Sequence, residues 1–143
     1  MNKHIIRRVT KKDIKYLYKL LNRTDEILGD KDDLYSIQTI TDYINRKHDV
    51  FLVYTINKKI VGTIYAQFYT EYIYEAIGVV DPKYRKKGIA TKLLKRIEEI
   101  AKNKGINFIE GFVEVSNKKM QKLYEKLGYI KGKPFIWYSK HGV

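Results

Sequence analysis

The chain has 143 residues, 44% of them hydrophobic and 31% charged, enough for one globular domain that buries roughly two thirds of the surface its unfolded form exposes. It contains no cysteine, which excludes a disulfide framework, thiolate metal sites and a cysteine nucleophile and fits a reducing cytoplasm. The formal charge of +13 favours anionic ligands, whether a phosphorylated cofactor, nucleic acid or a membrane surface, although lysines such as Lys92, Lys95, Lys102 and Lys104 on an outer helix face also serve solubility. No segment has the length and apolarity of a membrane span, and the first residues lack a signal-peptide core. A cytoplasmic protein without a membrane partner is the expectation.

In chain order, Ile5 to Val9 is a short strand, and Thr10 with Asp13 three positions on marks a helix start. Ile14, Leu17, Tyr18 and Leu21 then repeat at helical spacing, predicting a helix to about Asn22. The linking loop is acidic (Asp25, Glu26, Asp30, Asp32, Asp33); the residues serve helix capping and solvation, or else receive a cationic amine. Leu34, Ile37, Ile40 and Ile44 predict a second helix ending near Lys47. Strands follow at Asp49 to Ile56, Ile60 to Thr70 and Tyr72 to Val80, joined by short turns as an antiparallel meander. A helix from Gly88 to about Lys104 carries Ile89, Leu93, Ile97 and Ala101 on one stripe, and Gly105 stops it. Ile106 to Val115 reads as a strand and Asn117 to Leu127 as a helix closed by Gly128. Tyr129 to Lys131 and Phe135 to Ser139 read as terminal strands. No repeat, low-complexity tract or linker interrupts the chain, so residues 1–143 are expected to form a single domain.

One stretch reads either as a solvated basic connection between strand and helix or as an anion-binding turn. Val79-Val80-Asp81-Pro82 ends a strand, Lys83 to Lys87 make a basic turn, and Gly88-Ile89-Ala90-Thr91 opens a helix. The first N–H groups of a helix lack intrahelical partners and carry the positive end of its dipole. Arg85, Lys86 and Lys87 add charge beside them, and Gly88 removes a Cβ from the approach path. Arg85 to Ala90 resembles the Q/R-x-x-G-x-G/A signature of the GNAT superfamily of acetyl-CoA-dependent N-acetyltransferases. A second block, Glu114 to Tyr129, resembles the family's later motif, in which Asn117 opens a helix and Tyr124 follows seven residues on, before Glu125 and Gly128-Tyr129.

The resemblance covers most of the C-terminal half and implies a GNAT-type α/β (α+β) fold. That fold has a mixed, mostly antiparallel twisted sheet of about seven strands flanked by about four helices, the count of elements read above. It implies acetyl-CoA as co-substrate, no metal, and transfer of acetyl to a primary amine. Cofactor contacts implied by it are Gly78, Val79 and Val80 through their backbone, Arg85, Lys86, Lys87, Gly88, Ile89, Ala90 and Thr91 around the pyrophosphate, and Asn117 and Tyr124. Tyr124 is implied as the general acid, and the chemistry agrees: a phenol of pKa ~10 can protonate a departing thiolate whose parent thiol has a pKa near ~8.5. As purely structural readings, Tyr124 is a core aromatic on its helix stripe and Asn117 an N-cap. The attacking amine must be neutral, and its pKa near ~10.4 calls for a carboxylate base. Relatives that modify protein N-termini place a Glu five residues before the Asn, where this chain has Phe112. Glu110 and Glu114, on the same strand face, are the substitutes. Glu75 is a weaker candidate, since histone-modifying relatives place their Glu at the neighbouring position, here Tyr74.

P-loop, dinucleotide-fingerprint and G-x-S-x-G patterns are absent, and His4, His48 and His141 do not cluster at metal-ligand spacing. With no cysteine to acylate, direct attack in a ternary complex is the economical route. The acceptor, a small-molecule or a protein amine, and the length of the acyl group stay open. The family also implies dimerisation through the terminal strands. Two other functions compete: a basic nucleic-acid-binding domain with Tyr69, Tyr72 and Tyr74 as stacking platforms, and a non-catalytic CoA-binding module of the same fold. The motifs make nucleic acid the less favoured partner.

Overall fold

Two adjacent residues in left-handed backbone, Asn57 at φ 49° and Lys58 at φ 70°, set the geometry of the sheet. A two-residue turn of this type matches the right-handed twist of its flanking strands. It joins β2 (Val50–Ile56) to β3 (Lys59–Phe68) as a tight antiparallel hairpin. In the computed structural model, which describes residues 1–22 and 35–143, β1 (His4–Arg8) pairs with β2 on one side. On the other side β4 (Ile73–Val80) pairs with β3, and the short β5 (Ile109–Gly111) runs parallel to β4. The order β1-β2-β3-β4-β5 makes one mixed sheet.

The helices cover both faces. Thr10 and Asp13 start the first as expected: Asp13 Oδ2 accepts from Thr10 N at 2.8 Å, one turn of 3-10 helix spans Lys11–Asp13, and α1 runs from Ile14 to Asn22. The second, α2 (Ile37–Asn45), is capped by Ser36, whose Oγ accepts from Thr39 N at 3.1 Å. Leu17, Leu20, Leu21 and Ile40 from this pair pack with Phe51, Val53, Tyr65, Ile77 and Val79 on one sheet face. Each such side chain contributes about 1.5–3 kcal/mol by leaving water. On the opposite face α3 (Ile89–Asn103) buries Ile89, Leu93, Leu94, Ile97 and Ala101. It comes so close that a Cβ on Gly62 would stand 3.0 Å from Ile89 Cγ2. With any larger residue there, the Ile89 side chain would have to shift by a few tenths of an ångström.

The chain resolves into two compact units, Met1–Phe112 and Val113–Val143. In the second, α4 (Lys118–Lys126) is the helix expected after Asn117, although its apolar stripe is half-buried rather than buried. Among the described residues the sheet has five strands, not about seven, while the four α-helices match the expectation. Ile106 to Val115 contributes only the three residues of β5, and residues 129–143 enter no ladder. Ile130, Phe135, Ile136, Trp137 and Tyr138 stand exposed. Their β-forming side chains state a preference, but a strand needs a neighbouring edge in register, and Gly132 and Pro134 weaken the segment's own backbone pairing. The terminal strands on which dimerisation was expected do not form. The acidic loop and Leu34 lie outside the described residues. Among those described, no helix is long and apolar enough to cross a membrane.

Candidate functional site

At the end of β4 the chain builds a cradle of backbone donors. Asp81, buried, donates its N–H to Val61 O and accepts from Lys83 N at 3.0 Å, so the turn leaves the sheet in one fixed direction. Pro82 to Tyr84 form a 3-10 turn, and Arg85 Nε donates back to Val80 O at 3.3 Å. Arg85 therefore ties the turn to the strand. Lys86 at φ 61° and Gly88 at φ 75° then alternate left-handed backbone with the ordinary kind, an arrangement that points successive N–H groups into one concavity. The first helical bond of α3 is Lys92 N to Gly88 O, so the N–H groups of Ile89, Ala90 and Thr91 precede the ladder. A Cβ on Gly88 would meet no atom within 4 Å, so the glycine is demanded by its φ and leaves open space in front of the helix.

The adjoining edge of β4 is free of strand partners. β5 pairs with Ile73, Tyr74 and Glu75 only, and the ladder stops there. Register between β3 and β4 skips at the same point, from Tyr65 opposite Ile77 to Ala66 opposite Glu75, leaving Ala76 as the extra residue of a bulge. A bulge bends and twists its strand. Gly78 is exposed, with nothing within 4 Å of a Cβ built there. From Ala76 to Val80, β4 thus presents backbone groups that no strand among the described residues pairs on the β5 side. These residues fit the two ends of a CoA-like molecule: an extended amide arm along an open strand edge, and a diphosphate on a helix N-terminus.

On the α1/α2 face of the sheet lies a cluster of phenols with two carboxylates among the described residues, Glu110 and Asp49. Tyr74 stands opposite Glu110 in the β4–β5 ladder, and its ring is 5.5 Å from that of Phe112. Burial raises the Tyr74 phenol pKa, and the Glu110 charge raises it further, with smaller contributions from Tyr69 and Tyr43. Tyr35 is raised by burial and then by Tyr43 and Tyr74. Tyr43 stacks at 4.2 Å on Tyr65, which is fully buried and donates its hydroxyl to Asp49. Asp49 Oδ1 also accepts from Phe68 N at 3.0 Å. Burial first, and then Asp49, push the Tyr65 phenol upward.

The three carboxylates weighed from sequence each have their own local surroundings. Glu110 belongs to the Tyr74 cluster, and Glu75 is buried on the other face of β4, next to the bulge. Glu114 is exposed in the second unit, where its backbone carbonyl accepts from Asn117 N at 3.0 Å and Gln121 Nε2 at 3.1 Å. In that unit Asn117 Oδ1 accepts from Met120 N at 3.1 Å, the N-cap expected of it. Tyr124 is half-buried, its ring 4.4 Å from Tyr129, and Gly128 at φ 92° turns the chain after α4. Tyr35 and Tyr43 were not singled out from sequence. In a chain of 13 tyrosines nothing in their spacing marks them, because it is the packing of α2 and the residues before it on the sheet that brings them to Tyr74. Among the described residues no group of His, Asp and Glu could hold a metal ion.

Comparison with known proteins fits this arrangement. The chain is 31% identical over 124 residues to N-alpha-acetyltransferase 30 of Xenopus laevis, a match covering 82% of this chain and 45% of that protein. The human protein of the same name is 30% identical over 82% of this chain and 34% of its own length. The chain thus spans less than half the length of these curated relatives. Among solved structures, the PaiA N-acetyltransferase of Thermoplasma acidophilum in complex with coenzyme A superposes with a TM-score of 0.81 at 21% identity, covering 88% of this chain and 89% of that one. The ribosomal-protein-S18-alanine N-acetyltransferase of Escherichia coli gives 0.80 at 20% identity, over 92% and 80% of the respective chains. At these identities the two structures speak for the fold. The profile described as Acetyltransferase (GNAT) family matches residues 14–129, running from α1 through the cradle at Gly88 to the end of the Asn117–Tyr129 block, and the chain belongs to the GNAT acetyltransferase family.

Proposed function

We propose that the chain is an N-acetyltransferase that moves acetyl from acetyl-CoA to a primary amine by direct attack in a ternary complex, its two units acting as one catalytic domain. The observation that carries this reading is the cradle at Lys86–Thr91 next to the unpartnered β4 edge, on a chain of this family. Gly78, Val79 and Val80 hold the pantetheine arm through their backbone, Lys86 to Thr91 hold the pyrophosphate, and Arg85 keeps the turn in place. Asn117 contributes a further polar contact to the cofactor.

Glu110 takes the proton from the incoming ammonium, directly or through the Tyr74 hydroxyl, which its charge faces across the ladder. The neutral nitrogen attacks the acetyl carbon, the carbon–sulfur bond breaks, Tyr124 donates its phenolic proton to the departing thiolate, and the second proton that the nitrogen sheds on becoming an amide restores the phenol through water. Glu110 is preferred over Glu114 because it shares a face with Tyr74. Cation–π contact with the phenol faces of the cluster suits a cationic acceptor before it is deprotonated. The relatives named N-alpha-acetyltransferase favour the α-amine of a polypeptide as that acceptor.

The test is acetyl-CoA consumption over a panel of free-N-terminus peptides, N-terminally blocked lysine peptides and polyamines, with intact mass of each product. Acetylation confined to α-amines supports the reading. Turnover with polyamines alone refutes the acceptor assignment, and no turnover with any amine refutes the enzyme assignment.

A further inference from the structure

The basic surface beside the cradle holds two cations that converge on one ring. Lys59 opens β3, and Lys87 ends the basic turn; their ammonium groups lie 5.2 and 5.5 Å from the centroid of Tyr84. Lys59 Nζ also donates to Tyr84 Oη at 3.4 Å. Both lysines are exposed, and among the described residues neither has a carboxylate partner. Asp81, the acidic residue of the turn, is buried and accepts from Lys83 N. Two ammonium groups gathered at one phenol raise the local positive potential, and an anion bound beside them lowers it.

The cradle, Lys87 included, offers the diphosphate its backbone N–H groups, which leaves the Lys59 and Lys87 ammonium groups available to another phosphate group. Coenzyme A carries one, on the ribose 3′ oxygen. Resting on the CoA reading above, we propose that Lys59, Tyr84 and Lys87 form a subsite for the 3′-phosphate, so that the chain selects coenzyme A over its 3′-dephospho form. Lys59 belongs to the β2–β3 hairpin and stands well outside the signature stretch. Hairpin geometry carries it there, because β3 starts at the sheet end where β4 stops.

The test is calorimetric titration of coenzyme A and 3′-dephospho-CoA into the wild-type chain, Lys59→Ala and Lys59→Arg. The wild type should prefer coenzyme A by about tenfold, the low end for hydrogen bonds to a charged group at an exposed site. Lys59→Ala should lose most of that preference by weakening coenzyme A alone, and Lys59→Arg should restore it. Equal wild-type affinity for the two forms, or equal weakening of both by Lys59→Ala, overturns the subsite. Binding of neither form overturns the CoA reading and this subsite with it.

Discussion

Gly88→Ala separates backbone strain from ligand approach, because the structure provides a matched control. Gly88 sits at φ 75° and Gly105 at φ 73°, at opposite ends of α3, and a Cβ at either position meets no atom within 4 Å. Alanine at either site is therefore penalised by the left-handed backbone and not by crowding. That strain is about 1–2 kcal/mol. At 2–4 °C per kcal/mol for a chain near this size, each variant should melt roughly 2–8 °C lower. The two should part company with ligand present. Acetyl-CoA at 100 times its Kd stabilises the wild type by about 2.7 kcal/mol. Gly105→Ala should keep that increment. Gly88→Ala should lose most of it, because its methyl enters the open space in front of the Ile89, Ala90 and Thr91 donors. Thermal melts with and without acetyl-CoA read this out directly. Equal ligand-induced shifts in the two variants would refute the assignment of the cradle.

The other residues make separable predictions. Tyr124→Phe should lower kcat by about 10²–10⁴-fold with coenzyme A affinity unchanged, as expected on losing a general acid; unchanged turnover in steady-state assays would remove Tyr124 from the mechanism. Glu110→Gln should cut kcat/KM for the amine most at neutral pH and recover as pH approaches the amine's own pKa, whereas Glu114→Gln should leave the pH profile as it was. Asp13 offers a stability test. Burial would raise its pKa, but the Arg7 hydrogen bonds at 2.8 and 2.9 Å and the Thr10 N–H outweigh it, so the folded-state value is lowered. Its stabilisation is then present above the ordinary aspartate pKa of ~3.9 and lost as pH falls through the lower folded value. Asp13→Asn should cost about 1–2 kcal/mol at neutral pH, discounted because Arg7 is partly exposed, and the gap should close in acid denaturation series.

Much of the fold was legible because its signals are local. Thr10 and Asp13, Gly88, Gly105 and Asn117 act within a few residues of themselves, and each sits where the sequence placed it. The misreadings came where a partner mattered. Phe135 to Tyr138 have strand side chains and form no strand, and Ile106 to Val115 kept three strand residues because its ladder with β4 ends at Glu75.

The same division runs through the site. By itself the sequence determined the basic turn, the helix that opens at Gly88, and the helix capped by Asn117 that carries Tyr124, since glycine conformation, capping and residue spacing are short-range properties. Tertiary structure alone decided that Glu110 stands beside Tyr74, that β4 breaks register at Ala76, and that Lys59 meets Lys87 on Tyr84. Those pairings join residues that are distant along the chain or related only by strand register. Sheet register places them, and register is a property of the packed whole rather than of any one segment.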